Sequence, residues 1–558
     1  MISDGIPAQR ALLLTVTYHS VQHSKGSNRV ARVKNVDAKQ LKKMLHDGGE
    51  LALLDVREAG QFGESHLLFA TPLPYSRLEL DVGTLVPRKS ARIVVCDDGR
   101  SGVAERAAER LAGLGYVDVA TLAGGTAAWA TAAYGLFKGV NVPSKLFGEL
   151  VEHEYGTPRV TVQELVRMKE SGEDFVLLDG RPLNEHQKMT IPGSTCCPNA
   201  ELPYRVSSMV KSPATKIIVN CAGRTRSILG AQTLINFGIP NPVYALENGT
   251  QGWYLSDLKL EHGATRKYPD RVDDAALPAL KASAEKLAQR FAVRTVTARQ
   301  VEAWFREPDR TTYLCDVRTP EEFRSGSLPG AMHAPGGQLI QSTDQWVGVR
   351  NARIVLIDGG ENVRAPVVAS WLKQLGCDVW VLEGGVRSGL KGPAASAPVL
   401  PVLDTIGAVE LKRALDEGVC TAFDLGPSMG FRKAHIPGSH WSTRVRLASD
   451  SRSQNKPVVL VAGDAEIARL AATELMSAGI KDVRLLEGGL AAWAQAGYPV
   501  ESTPDVPDDA DCIDHLFFVH DRHAGNKEAM RQYLAWETGL IAQLDGQDRR
   551  AFRIGESR

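Results

Sequence analysis

A cysteine opens the run Cys221-Ala222-Gly223-Arg224-Thr225-Arg226-Ser227, between the apolar stretch Ile217-Ile218-Val219-Asn220 and a helical pattern that continues through Ile228 and Leu229. A sulfur at that junction meets the first N–H groups of a helix and the positive end of its dipole, with two guanidiniums in the same loop. Such surroundings favour thiolate over thiol and attract anions, so the run reads as a nucleophilic sulfur set in an anion site. Cys221 is the expected nucleophile. Arg226 and Arg224 are expected to bind the anion, with Ala222, Gly223, Thr225 and Ser227 completing the cradle.

The elements that must position this loop occur four times. One anchor is a strand that ends in an acidic residue, at Asp55, Asp179, Asp316 and Asp424. The other is a strand running into a glycine turn, at Gly124-Gly125, Asn248-Gly249, Gly384-Gly385 and Gly488-Gly489. From each Asp to the last Gly of its unit the separations are 70, 70, 69 and 65 residues. Four nearly equal spacings indicate tandem domains of about 100 residues. Short apolar strands alternate with amphipathic helices in each, which predicts an α/β fold with a mainly parallel sheet flanked by helices. In such sheets ligands collect at the carboxyl ends of the strands, where Cys221 lies.

The expected organisation is an N-terminal extension (1–29) and domains at 30–139, 157–264, 292–393 and 403–501. An Ala/Lys-rich helical connector (275–291) precedes the third domain, and a tail (502–558) follows the fourth. In the tail Tyr533, Leu534, Trp536, Leu540 and Ile541 mark an amphipathic helix over Lys527 to Leu544, expected to pack on one of the domains.

Counting 42 residues on from the anchoring Asp gives Cys221 in the second copy, Asp97 in the first and Asp358 in the third. In the fourth, counting back from Gly489 reaches Ala462. Three copies therefore lack the nucleophile. In two of them a carboxylate is expected to fill the anion cradle from within.

Composition narrows the function classes. The 558 residues are 43% hydrophobic and 23% charged, with 65 basic and 65 acidic residues, so no nucleic-acid or polyanion surface is indicated. No apolar run has the length of a membrane span. Ala11 to Thr17 is the nearest thing to a signal core, but lacks a basic start and a cleavage site. Eight cysteines without paired spacing read as reduced thiols in a cytoplasmic protein. Cys96 sits at a final strand position with its side chain turned from the loop mouth. Cys196, Cys197, Cys315, Cys377, Cys420 and Cys512 read as structural. Cys512, His515, His520 and His523 have no zinc-ligand spacing, and Leu516 to Val519 between the histidines reads as a buried strand, so neither metal nor cofactor is expected.

The motifs resemble the rhodanese family. They are the Asp-x-Arg strand end, the segments Ile191-Pro192-Gly193-Ser194, Leu328-Pro329-Gly330-Ala331 and Ile436-Pro437-Gly438-Ser439, the cysteine loop, and the turn Leu-x-Gly-Gly-x-x-x-Trp of Leu122 to Trp129 and Leu486 to Trp493. Two departures stand out: the first domain reads Ser65-His66-Leu67-Leu68 at the Pro-Gly segment, and the fourth has Gly426 in place of the arginine. The resemblance implies four tandem rhodanese-like domains and transfer of sulfane sulfur through a persulfide on Cys221. Thiosulfate is the implied donor, and cyanide, a thiol or a protein the implied acceptor. Arg226 falls where the family closes its loop or faces substrate, and Asp179 and Arg181 are expected as structural support, with Arg181 bridged to Glu185. A phosphatase of this fold has a Cys-x5-Arg loop, one residue longer than Cys221 to Arg226. A mercaptopyruvate donor is the alternative, although its users carry small Gly/Ser/Thr loops. A persulfide-delivery module with little free turnover is the other.

Overall fold

In a computed structural model the described residues are 34–393, 398–454, 456–523 and 525–555. The N-terminal stretch from Ala11 to Thr17 lies outside them. Four five-stranded sheets follow one another along the chain, all with the same strand order and all built from parallel pairs. In the second domain the order across the sheet is Arg159–Val160, Val243–Leu246, Lys216–Asn220, Phe175–Asp179 and Thr195–Cys196.

The middle strand, Lys216–Asn220, is apolar on both faces because helices cover both. Ile217 and Val219 join Leu178, Leu234 and Ala245 on one side. Ile218 joins Leu177, Leu246 and Trp253 on the other. That alternation fixes the register, since a slip of one residue would exchange the two faces. Local signals agree: Thr161 and Glu164 form a reciprocal capping box at the start of the helix Val162–Glu170.

The domains share a core. One apolar cluster runs from Leu54 and Val95 of the first domain through Phe147 and Ile228 to Leu356 and Trp371 of the third. Phe147 belongs to the helix Val142–Tyr155, which joins the first two domains and is buried continuously from Ser144 to Val151. The connector is the helix Leu277–Arg290, packed on the third domain through Leu280, Ala284 and Leu287. No helix among the described residues is long and apolar enough to cross a membrane.

The tail departs from the sequence reading in two places. Its main helix, Lys527–Thr538, stops well before Leu544, and Ile541–Gln543 forms a separate 3-10 turn. Phe517–His520 is a short α-helix rather than a strand, and its residues are only partly buried. The tail runs from the fourth domain to the second and ends on the third, where the Arg553 N–H donates to the Gln374 carbonyl.

Candidate active site

The strand Lys216–Asn220 delivers Cys221 to the head of the helix Thr225–Phe237. The loop carbonyls are held from behind. Thr250 and Gln251 donate their N–H groups to the carbonyls of Cys221 (2.8 Å) and Ala222 (3.1 Å), and Gln251 Nε2 also reaches Ala222 O. Gly249, at φ +50°, makes this approach feasible: a Cβ there would lie 2.2 Å from the Cys221 carbonyl oxygen. With its carbonyls tied back, the loop presents the helix's first N–H groups, which have no acceptor within the helix. Cys221 is 2% exposed, and Ser227 Oγ donates to its Sγ at 3.1 Å.

The two arginines part company. Arg226 stands within electrostatic reach of Cys221 and makes a two-pronged pair with Glu185, at 2.7 and 2.8 Å. Burial opposes its charge, but Glu185 and Cys221 more than offset this and raise its pKa. Asn199 Nδ2 donates to the Arg226 carbonyl at 2.9 Å, and Gly180 leaves room for it, since a Cβ there would sit 2.1 Å from Asn199 Oδ1. Arg224 does not face the cradle as expected. It turns onto the helix Val142–Tyr155, where Nε and Nη2 donate to Glu149 at 2.8 and 2.9 Å and Nη2 also pairs with Glu152. Two carboxylates next to the loop's back wall outweigh a solvated position for a side chain this deeply buried.

The tail reaches the same loop. Glu537, 1% exposed, accepts from Thr225 Oγ1 at 2.7 Å through Oε1. Its second oxygen is buried without a hydrogen-bond partner, 3.0 Å from where a Cβ on Gly223 would stand. Lys145 lies 3.6 Å from Glu537 and donates to the Tyr533 hydroxyl. Thr225 is therefore braced from outside its own domain.

Beneath the loop Asp179 is fully buried and accepts from Arg181 Nε (2.9 Å), Arg181 Nη2 (2.6 Å), His186 Nδ1 (3.1 Å) and Thr190 Oγ1 (2.9 Å). Burial works against its charge, yet Arg181 and His186 prevail and hold the carboxyl far below the usual range. The expected bridge from Arg181 to Glu185 is absent: Arg181 turns inward to Asp179 and the Met189 carbonyl, leaving Glu185 to Arg226. Cys196 donates to the Arg181 carbonyl at 3.4 Å, and burial pushes its pKa to about 12. Cys197 lies in the core beside Leu202 and Val219, with its thiol raised further by burial. Cys96 is fully buried, and burial with the nearby Asp55 raises its thiol also. Among the described residues no group of three or more His, Cys, Asp and Glu is disposed to hold a metal.

The other copies share the frame but not the sulfur. Gly125, Gly385 and Gly489 repeat the left-handed turn, and a Cβ on each would strike the carbonyl of Asp97, Asp358 or Ala462, as Gly249 would that of Cys221. In the first domain Asp97 accepts from the N–H groups of Gly99, Val103 and Ala104 and from Ser101 Oγ. In the third, Asp358 accepts from Gly359, Arg364 and Ala365 N–H and from Arg364 Nε. Each carboxylate thus occupies its own helix head. Glu149, Glu537 and Asn199 had no sequence signal as site residues, and Glu185 was expected on Arg181 and not on Arg226, because all four lie on segments distant from the loop. The nearest hint is that an arginine-rich loop at a buried strand end needs carboxylates to neutralise it.

Comparison with known proteins agrees with this frame. The rhodanese-like domain family model matches residues 37–132, 161–256, 297–390 and 407–496. The crystal structure of a thiosulfate sulfurtransferase from Pseudomonas aeruginosa superposes with a TM-score of 0.86 at 42% identity, over 93% of this chain and 99% of that one. The HTH-type transcriptional regulator Rv0324 of Mycobacterium tuberculosis is 32% identical over 111 residues, 20% of this chain and 48% of that protein. The uncharacterized protein YqhL of Bacillus subtilis is 30% identical over 100 residues, 18% of this chain and 74% of that protein. The chain thus spans about half the length of the first of these two relatives. Four matched units on four sheets of one topology place the chain in the rhodanese-like domain family, as a tandem of four such domains.

Proposed function

We propose that the chain is a sulfurtransferase with one working site, taking sulfane sulfur from thiosulfate onto Cys221 and passing it to a thiophile such as cyanide or a thiol. The observation that carries this reading is the contrast among four equivalent loops. A sulfur stands at the helix head in one, while carboxylates fill the same place in two others. Similarity over nearly the whole chain to the Pseudomonas aeruginosa thiosulfate sulfurtransferase supports thiosulfate as the donor.

The chemistry follows from the groups present. The Cys221 thiolate attacks the outer sulfur of thiosulfate; the new S–S bond forms as the old one breaks, and sulfite leaves with the electron pair. Ser227 Oγ–H and the helix-head N–H groups stabilise negative sulfur in the thiolate and in the persulfide. Arg226 is the cation available to the anionic donor and to departing sulfite. The acceptor's lone pair then attacks the outer persulfide sulfur and returns Cys221 as thiolate, in a ping-pong cycle.

The test is mass spectrometry of the intact chain after thiosulfate treatment, paired with cyanolysis by wild type and Cys221→Ser. A gain of one sulfur on the Cys221 peptide, with no turnover in Cys221→Ser, is the expected result. Turnover surviving in Cys221→Ser would overturn the single-site reading. A persulfide that forms but does not turn over with cyanide would favour a delivery module with a dedicated acceptor.

A further inference from the structure

A cavity of about 120 Å³ lies between the first and third domains, roofed by the start of the helix Val142–Tyr155 and by Phe552 of the tail. Its walls are mostly apolar, with Phe69, Val347 and Leu375 among them. Into this setting the chain places Arg350, whose guanidinium stacks 3.8 Å above the Phe69 ring. The Arg350 side chain has no hydrogen bond or ion pair among the described residues, and its Nε is fully buried without a partner. Burial pulls its pKa down, as expected of a cation that lacks a counter-charge. The acidic groups acting on it are the Cys377 thiol and Asp548, and Asp548 is already held by Lys42 at 2.7 Å and His46 at 3.0 Å. Gln341, whose main-chain carbonyl accepts from Ser144 Oγ, also lines the cavity.

Arg350 is half-buried, with its Nε enclosed and no counter-charge of its own, and an apolar cavity with one such polar group is the usual form of a small-molecule site. We propose that this cavity binds a small organic monocarboxylate, its carboxylate on Arg350 and a short branched apolar body against Phe69, Val347 and Leu375. A cavity of about 150 Å³ admits the six carbons of benzene, so this one holds an apolar body of about four carbons, with the carboxylate outside the apolar space on the half-buried Arg350. Asp344 is also on the cavity wall, and burial pushes its carboxyl up to about 6, so it opposes an anion less than an ordinary carboxylate would and a monoanion is better received than a dianion. The site is separate from the Cys221 loop and needs no part of the sulfur-transfer reading.

Cys377 lines the cavity and supplies the readout. The full chain carrying Cys221→Ser is treated with methyl methanethiosulfonate, and labelling of the Cys377 peptide is followed by mass spectrometry with and without isovalerate. With a Kd near 1 mM, 10 mM isovalerate slows labelling about tenfold. Isoamyl alcohol, of the same shape without the charge, and acetate, with the charge but little apolar body, protect far less. Arg350→Gln loses the protection by isovalerate, and thermal unfolding of that variant without ligand checks that it is folded. Equal protection by isovalerate and isoamyl alcohol, or protection unchanged in Arg350→Gln, would overturn the proposal. Burial pushes the Cys377 thiol up to about 11, so labelling is run at about pH 9. A Cys377 that is never labelled there, or one whose labelling isovalerate leaves unchanged, would also overturn the proposal.

Discussion

Glu185→Gln offers a sharp trial of how the donor is received. In the structure Arg226 is not a free cation awaiting an anion: both of its Nη atoms are held by Glu185, at 2.7 and 2.8 Å. A donor dianion that uses the guanidinium must compete with that carboxylate. Charge-assisted pairs of this kind contribute about 1.5–3 kcal/mol when well shielded. Here the Glu185 side chain is 35% exposed against 14% for Arg226, so solvent screening reduces the pair to about 1 kcal/mol. Replacing Glu185 by glutamine keeps the shape and a hydrogen bond but removes the competing charge. The KM for thiosulfate is then expected to fall about fivefold, the factor that 1 kcal/mol represents. The kcat with cyanide stays within about twofold, because the sulfur-handling groups Ser227 and Cys221 are untouched. Initial-rate cyanolysis across a thiosulfate series gives both numbers. A KM that rises in Glu185→Gln would refute the competition and make Glu185 a positioning residue that aims Arg226. The fivefold gain should also shrink with added salt, since it is electrostatic and partly solvent-exposed.

Three further outcomes follow from the geometry. Asp179 has a depressed pKa in the fold, so its stabilising contribution is present above the ordinary carboxylate range of about 4 and disappears as pH falls through the lower folded value. Asp179→Asn should remove that acid limb from a urea-unfolding profile against pH and destabilise the chain by about 3 kcal/mol near neutrality, because Arg181 is left buried without its partner. Asp97→Ala takes the acceptor from Val103 and Ala104 N–H at a helix head and should cost about 1–2 kcal/mol in the same assay while leaving cyanolysis unchanged. Glu537→Ala removes the acceptor of Thr225 and strands the buried Lys145, so kcat should drop severalfold, whereas Glu537→Gln, which can still accept from Thr225, should recover most of it.

What the sequence disclosed was whatever depends on local pattern. Strands such as Lys216–Asn220 and the glycine turns at Gly125, Gly249, Gly385 and Gly489 are readable because sheet burial and left-handed backbone each restrict residue type. The offsets that put Asp97, Asp358 and Ala462 opposite Cys221 follow from those same anchors, and the clash of each glycine with the matching carbonyl shows the equivalence directly. The charge partners of the loop were not legible. Arg224 and Arg226 are two residues apart and chemically alike, so their spacing could not tell which would face the cradle and which the helix Val142–Tyr155. That choice was made by Glu149 and Glu185, which are 75 and 41 residues away from the arginines they hold. The same holds for Glu537, 312 residues from Thr225, which no local signal links to the loop.

Those distant partners bear on what the copies without a loop cysteine do in the fold. Asp97 and Asp358 do for their helices what an external anion would otherwise do, satisfying N–H groups at a helix head with a carboxylate built into the chain. A loop closed in this way is free to be structural, and both copies are structural in a specific sense. The third domain meets the second through Trp371 Nε1 on Thr233 Oγ1 at 2.8 Å and through Arg364 on Glu201 at 3.0 Å. The first contributes to the shared apolar core that holds the helix Val142–Tyr155, and that helix carries Glu149 and Glu152 to Arg224. The tail, reached only after the fourth domain, brings Glu537 to Thr225. The back of the Cys221 loop is therefore assembled from Thr250 and Gln251 of its own domain together with segments outside it. A thiol cradle must keep N–H groups and cations aimed at sulfur without letting a resident carboxylate fill the space as Asp97 does. Bracing the loop from behind, through Arg224 and Thr225, meets that requirement without placing a carboxylate on the sulfur.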